Sequence, residues 1–253
     1  MERLVAPPPD HVSRVKGRSP FGSTVFVGLR ALDVFIQYGI IAKGYGALAI
    51  QKLGGSAVDF SSSPSVALGL PLWPLAIVGM SAGGALKQIY VLLALSELEM
   101  PAKLSVIVGL ANTFNNSLNA LIFCSSRFSP VASKVDLNEA SSLLVGGVAL
   151  YAVGMLGEIY SEIQRARFKA KPENKGKPYT EGLFSLARHI NYGCYTVMRT
   201  GYAAATGGWI WGLVTGAILL HDFASRAVPA LDYHCSQRVS QDQCFAFLHQ
   251  KSN

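Results

Sequence analysis

Within the stretch Gly182 to Tyr195, GLFSLARHINYGCY, four residues able to do chemistry fall almost together: Arg188, His189, Asn191 and Tyr192. A guanidinium grips phosphate, an imidazole and an amide bond ribose or amide groups, and a phenol stacks on a ring or gives up a proton. A helix over about Leu183 to Thr200 is predicted to set Arg188, Asn191, Tyr192 and Tyr195 on one side, at spacings of three and four. Upstream, Glu158 and Glu162 share a helix face, followed by Arg165, Arg167, Lys169, Lys171, Lys175 and Lys177 with Glu173 the single acid among them. Such a set suits a charged, aromatic cofactor at a membrane surface. On residue types alone, an interfacial helix whose Arg, His and Tyr anchor to headgroups accounts for the cluster as well.

The elements that must position these residues follow from composition. Half of the 253 residues are apolar and 15% are charged, against roughly 25% charged in an ordinary soluble domain. The charges collect at the ends and in connectors, leaving uncharged windows of roughly 20 residues, the length of a membrane-crossing helix. The expected fold is all-α, a polytopic membrane bundle of about five to seven helices. It comprises a basic cytoplasmic tail over residues 1–23 and one membrane domain over 24–253, with amino-terminal spans in 24–140 and the cofactor-binding part in 141–253. The net charge of +7 lies in short connectors, where cytoplasmic charge is expected, so nucleic-acid binding is excluded as a function class. Cys124, Cys194, Cys235 and Cys244 show no metal-ligand spacing and read as reduced thiols, with no metal site. Met1 to Ser23 carries Arg3, Arg14, Lys16, Arg18 and three prolines and lacks the form of a secretory signal. It reads as a disordered tail before a span that serves as an uncleaved anchor.

Spans are expected over about Thr24–Ile50, Val66–Leu95, Leu104–Cys124 and Ser141–Ile163, then a weakly apolar helix and a final span over Ala203–Leu220. If the last two form a hairpin, the tail from His221 returns beside the basic loop. Placing the tail, the 97–103 turn and the basic loop in the cytoplasm leaves Lys52, Arg127 and Lys134 on the other side, as the positive-inside rule requires. Within the spans, Arg30 and Asp33 neutralise each other one turn apart, and Asn112, Asn116 and Asn119 line one helix face; the pair and the amide row could line the substrate cavity, and the amides could equally bond neighbouring helices. Gly79, Gly83 and Gly84 permit close helix contact in the second span.

The run EIYSEIQRARFKAKPENKGKPYTEGLFSLARHINY, Glu158 to Tyr192, resembles the carboxyl-terminal signature of the steroid 5-alpha-reductase-like family, especially its branch of uncharacterised membrane proteins. The matching positions are Glu158, Glu162, Gln164, Phe168, Lys169, Asn174, Lys175, Gly176, Gly182, Leu183, Phe184, Arg188, His189, Asn191 and Tyr192. The likeness covers the last ~100 residues well, while the earlier part shares mainly its pattern of spans. It implies an NADPH-dependent reductase without a Rossmann domain, acting on an activated double bond of an apolar sterol, enoyl, terpenoid or polyketide-like substrate, in the endoplasmic reticulum membrane. Arg188, His189, Asn191 and Tyr192 would contact the cofactor, with Glu162, Gln164 and Lys169 around its polar end and His234 brought in from the tail. The family's Pro after His is Ile190 here, and its Tyr-Gly in the tail is Val239 and Ser240. Tyr195 stands in place of the family's Glu and is the expected proton donor, ahead of Tyr38 and Tyr90. Isoprenylcysteine carboxyl methyltransferases look similar in this region but bind S-adenosylmethionine. Asn191 and the Asn-Lys-Gly turn favour the reductase side. A non-catalytic protein that keeps the fold, and an isomerase or cyclase working in the same cavity, remain further readings. No residue pattern sets an oligomeric state.

Overall fold

The computed structural model describes residues 15–133, 136, 142–174 and 177–238, with side chains as far as Tyr233. Arg3, Arg14, Lys134, Lys175, Gly176, Cys244, Val239, Ser240 and the side chains of His234 and Cys235 lie outside the described residues.

The described chain is helical, with no β-strand among those residues. Helix α1 spans Pro20–Ala42, α2 Tyr45–Lys52, α3 Leu72–Tyr90, α4 Ala102–Cys124, α5 Ser142–Lys169, α6 Ile190–Asp222 and α7 Val228–Arg238. Prolines set several starts. Pro20 opens α1 and Pro101 precedes α4, each costing no hydrogen bond because the first N–H groups of a helix have no partner within it. Five segments are long and apolar enough to cross a membrane: Pro20–Ala42, Leu72–Leu95, Ala102–Cys124, Ser142–Lys169 and Ile190–Tyr233.

The bundle is polar within and apolar without. Arg30, Asp33, Gln37, Asn116 and Thr206 are buried, while Phe35, Phe114 and Ile210 are 72%, 70% and 81% exposed. In water that distribution would be untenable. In a bilayer, lipid tails cover the apolar exterior and the polar groups must satisfy one another inside. The chain is therefore a multi-pass membrane protein.

Helix α1 packs against α3 and α4, and α5 runs along α6. Glycines bring the last pair together: a Cβ on Gly147 would fall 2.7 Å from the Ala205 nitrogen, and one on Gly154 or Gly201 would collide with the backbone of the facing helix at Met198 or Tyr151. At one end, the Gly17 nitrogen donates to the Glu97 carbonyl at 3.1 Å and Lys16 pairs with Glu97 at 2.5 Å. At the other, the Val58 nitrogen donates to the Cys124 carbonyl at 2.8 Å. The bundle thus has two distinct faces, one gathering the 97–103 turn and the end of α5, the other the loops after α2 and α4.

Several expected boundaries are corrected. The first span ends at Ala42, because Gly44 at φ 74° breaks the helix and α2 is separate. The second begins at Leu72: Pro71 disfavours helix at Leu70, and Val66 to Leu70 closes a turn with Leu68 and Gly69 at positive φ. The fourth runs on to Lys169, its polar last turns supported by packing at the near face.

The largest correction concerns the end of the chain. Leu183–Thr200 is not one helix: Gly182–Ser185 is a 3-10 turn, and α6 begins at Ile190. Nor is Ala203–Leu220 one span, since Gly208 interrupts α6 at φ 84°, ψ 173°, a conformation reserved for glycine. The chain reverses there. A Cβ on Gly212 would meet that of Ala204 at 2.9 Å, and one on Gly216 the Thr200 hydroxyl at 2.6 Å. The expected hairpin exists, with its bend inside the apolar run.

Candidate functional site

Because α6 doubles back at Gly208, residues 223–232 return beside residues 188–195, at the face where α5 ends. Tyr192 stacks on Phe223 with ring centroids 4.8 Å apart and planes 8° from parallel, and His189 stacks on Tyr192 at 5.7 Å and 11°. Arg188 donates to Asp232, 44 residues away, and His189 Nε2 lies 3.5 Å from the same carboxylate.

The segment leading in is clamped by its own side chains. Gly182 adopts φ 59° with the Gln164 side chain directly beneath it, and Gln164 Oε1 accepts from the Leu183 nitrogen at 3.1 Å. Phe168, Tyr179 and Phe184 form a ring cluster, with centroids 4.9 and 5.5 Å apart, that pins residues 179–184 onto the end of α5. Asn174 Nδ2 donates to the Phe168 carbonyl at 2.9 Å. His189 is the residue before α6, and its carbonyl accepts from the Tyr192 nitrogen at 3.0 Å. Asn191 and Tyr192 thus occupy the first turn of a helix, where unpaired N–H groups and the helix dipole favour negative charge.

Glu162 joins α5 to this turn. Its carboxylate accepts from Asn191 Nδ2 at 3.0 Å and from Arg165. One turn earlier, Glu158 accepts both 2.6 and 2.7 Å bonds from Lys87 Nζ on α3, and that ammonium sits 5.0 Å from the centroid of the Tyr195 ring. Tyr195 also meets Phe223 edge-on at 6.0 Å.

Of the expected site residues, the structure brings Glu162, Arg188, His189, Asn191 and Tyr192 into one cluster, with Tyr195 one turn deeper. Gln164 faces the Gly182 turn as a clamp, and Lys169 lies at the end of α5 within electrostatic reach of Glu97. His234 belongs to α7 by its backbone. Tyr38 is at the opposite face, its hydroxyl donating to the Leu68 carbonyl at 3.0 Å. Asp232 and Phe223 were not anticipated; the hairpin that delivers them was the available signal.

Deeper in the bundle lies a second polar system. Asp33 accepts from Arg30 Nη1 at 2.7 Å, Gln37 Nε2 at 2.8 Å and Asn116 Nδ2 at 2.7 Å. Arg199 Nη1 donates to Asn116 Oδ1 at 2.8 Å, extending the network from α1 through α4 to α6. Asn119 Oδ1 accepts from Thr206 at 3.1 Å and Trp211 at 2.7 Å, and Gln88 donates to Asn112 at 3.2 Å. The amide row therefore binds neighbouring helices, each such bond contributing ~0.6 to 1 kcal/mol in a membrane. Arg199 escaped the sequence reading, although a lone cation inside an apolar segment marks function by itself. A small cavity opens beside this network, lined from α1, α3, α4, α5 and α6.

Residues 115–251 match the family described as "Protein of unknown function (DUF1295)", which is associated with steroid 5-alpha-reductase-like membrane proteins. A protein of Ustilaginoidea virens named "Probable O-methyltransferase ustE" is 39% identical to this chain over 232 residues, covering 89% of the chain and 82% of that protein. No solved structure matches.

Proposed function

This chain belongs to the DUF1295 family, and from that premise we propose that it is a membrane enzyme that transfers a methyl group from S-adenosylmethionine to an oxygen of an apolar substrate. The observation that carries the reading is its likeness, over 89% of the chain, to a protein named as an O-methyltransferase. The chemistry of the cluster agrees. S-adenosylmethionine offers a carboxylate, an ammonium, an adenine and a sulfonium. Arg188 suits the carboxylate, Glu162 and Asp232 the ammonium, and the flat stack of His189, Tyr192 and Phe223 the ring or the cationic sulfur. When bound, this group supplies the methyl that is transferred. The chain's own part is to grip it at the membrane face and to bring the apolar acceptor to it from within the bundle. The basic loop supports a cytoplasmic position for this face, and the resemblance to the steroid 5-alpha-reductase-like family supports the endoplasmic reticulum membrane.

A second reading, NADPH-dependent reduction of an activated double bond, is favoured by the ordered match from Glu158 to Tyr192 and by the family's association with reductase-like proteins. In this reading Tyr195 is the proton donor. The pairs of Arg165, Arg188 and Lys87 with carboxylates would have to open for the phosphates of NADPH as they would for S-adenosylmethionine. The Glu of the reductase pattern, however, is absent, and the Tyr195 that replaces it packs its ring against Lys87 and Phe223.

Equilibrium binding of S-adenosylmethionine and of NADPH to detergent-purified protein decides between them. Saturable binding of S-adenosylmethionine, weakened by Arg188→Ala and by Asn191→Ala, is the expected result. Preference for NADPH transfers the conclusion to the reductase, and binding of neither removes both.

A further inference from the structure

The cavity beside the buried network holds an unbalanced charge. Arg30 and Arg199 are 1% and 7% exposed, and Asp33, completely buried, is the single carboxylate paired with either among the described residues. Two guanidiniums against one carboxylate leave one positive charge in the middle of a membrane bundle, an arrangement that is costly when uncompensated. The remaining described partners of Arg199 are the neutral Asn116 and the Tyr202 ring, 5.8 Å from its guanidinium carbon. Arg30 spends Nη1 on Asp33, and its Nε is buried with no hydrogen-bond partner. Both arginines line the cavity, together with hydroxyls of Ser81 and Tyr202. Such a place calls for a negatively charged oxygen.

We propose that this cavity binds the anionic head of the acceptor, a carboxylate or phenolate oxygen carried on an apolar body. A guanidinium presents paired donors in the plane that an anionic oxygen group accepts best, and the low dielectric around it strengthens the attraction. The cavity as it stands has room for about a single water-sized group, so a head group enters only as its walls give way. Its apolar walls include Met80 and Met198, unbranched side chains that yield readily to a ring or chain. Arg199 lies eight residues beyond Asn191 on α6, a rise of ~12 Å, so head group and cofactor cluster are one small molecule's length apart along a single helix. Between them sit Lys87, Glu158 and Tyr195. That the anion is the methyl acceptor rests on the methyl-transfer reading; that the cavity takes an anion rests on its charge alone.

The test is equilibrium binding, without any cofactor, of benzoate, of laurate and of uncharged methyl benzoate to the detergent-purified full chain. The variants are Arg199→Gln, Arg199→Lys and Asp33→Asn, each checked for monodispersity and helical content. Saturable binding of an acid is expected, with methyl benzoate weaker by about tenfold or more, the loss typical of one buried charge-assisted bond. Arg199→Gln should weaken acid binding by a similar factor and leave the ester unchanged. Arg199→Lys, which keeps the charge but loses the fork, should fall between and serves where the Gln variant does not fold. Asp33→Asn removes the competing carboxylate and should tighten acid binding, a direction that simple damage to the fold does not produce. Preference for benzoate indicates an aromatic acceptor, and preference for laurate a lipid acid. Equal affinity for acid and ester, indifference to Arg199, or no saturable binding of either acid would overturn the proposal. Acid binding in a protein that ignores S-adenosylmethionine would retain this site and refute only the methyl-transfer reading.

Discussion

Gly216 lies against Thr200, so close that a Cβ on the glycine would come within 2.6 Å of the threonine hydroxyl. This contact fixes the register of the α6 hairpin, and the hairpin in turn brings Phe223 and Asp232 to the cluster around Arg188. Gly216→Leu should therefore prise the two arms apart and lower the thermal midpoint in detergent, with a cost of about 1 to 3 kcal/mol typical of overpacking. The reversal itself is checked by labelling single cysteines with a membrane-impermeant maleimide in a cysteine-free background. Ser185→Cys and Ser225→Cys should label from the same side and Lys52→Cys from the other. Labelling of Ser185→Cys and Ser225→Cys from opposite sides would mean that the arm does not return.

Arg188 and Asp232 form one unit of the face cluster, so their substitutions should not add. We expect Arg188→Ala and Asp232→Asn each to weaken S-adenosylmethionine binding. The double variant should be little worse than either, a coupling on the order of 0.5 to 3 kcal/mol in a double-mutant cycle. Strict additivity would show that the pair seen across the hairpin is not what shapes the site.

Asp33 accepts hydrogen bonds from three residues on two helices. Asp33→Ala strands the Arg30 charge in the bundle and should cost about 3 to 5 kcal/mol, seen as a large drop in thermal midpoint. Replacing Arg30 and Asp33 together by leucine should recover much of that loss, because the Arg30 charge leaves with its partner. A double variant as unstable as Asp33→Ala would show that shape, rather than charge, dominates at this position.

Outside the spans, Glu97 is held below its ordinary carboxyl range, chiefly by the hydrogen bond from Lys16 and further by the charges of Lys16 and Lys169. A depressed acid contributes stability above its unfolded value of 4.5, and that contribution is lost as the pH falls through the folded one. The docking of residues 15–17 onto 97–99 should therefore loosen below pH ~4. The pair is exposed and its effect small, under ~1 kcal/mol. Limited proteolysis near Lys16 is the readout. Glu97→Gln should reproduce at neutral pH the cleavage that acid produces in the wild type, and unchanged cleavage in that variant would show that the ion pair does not hold the segment.

What the sequence revealed, and what it hid, divides along physical lines. Apolar length marked the first four spans, and Arg30 with Asp33 was legible because partners three residues apart on a helix must meet. The bend at Gly208 was not, since it lies inside an unbroken apolar run and its only local trace is the Gly207–Gly208 pair. Once the bend was misplaced, the meeting of Arg188 with Asp232 across 44 residues was out of reach. Leu183 to Ala187 looked helical by spacing, yet the positive φ of Gly182 and the ring cluster of Phe168, Tyr179 and Phe184 hold the start of that segment in a tight turn. Arg199 was hidden by its surroundings: its partner Asn116 is 83 residues away and gives no hint of charge.

The buried network also constrains the order in which the protein can be built. Helix α1 carries Arg30 and Asp33 as a self-neutralised pair, so it can enter the bilayer before any other segment exists. Arg199 has no acid within its own arm of α6 and would be a naked cation on entry. It can settle only against a polar surface already presented by Asn116, itself anchored on Asp33. Insertion should therefore follow an order, with the first helix serving as a template and the last hairpin held best where that template has already assembled.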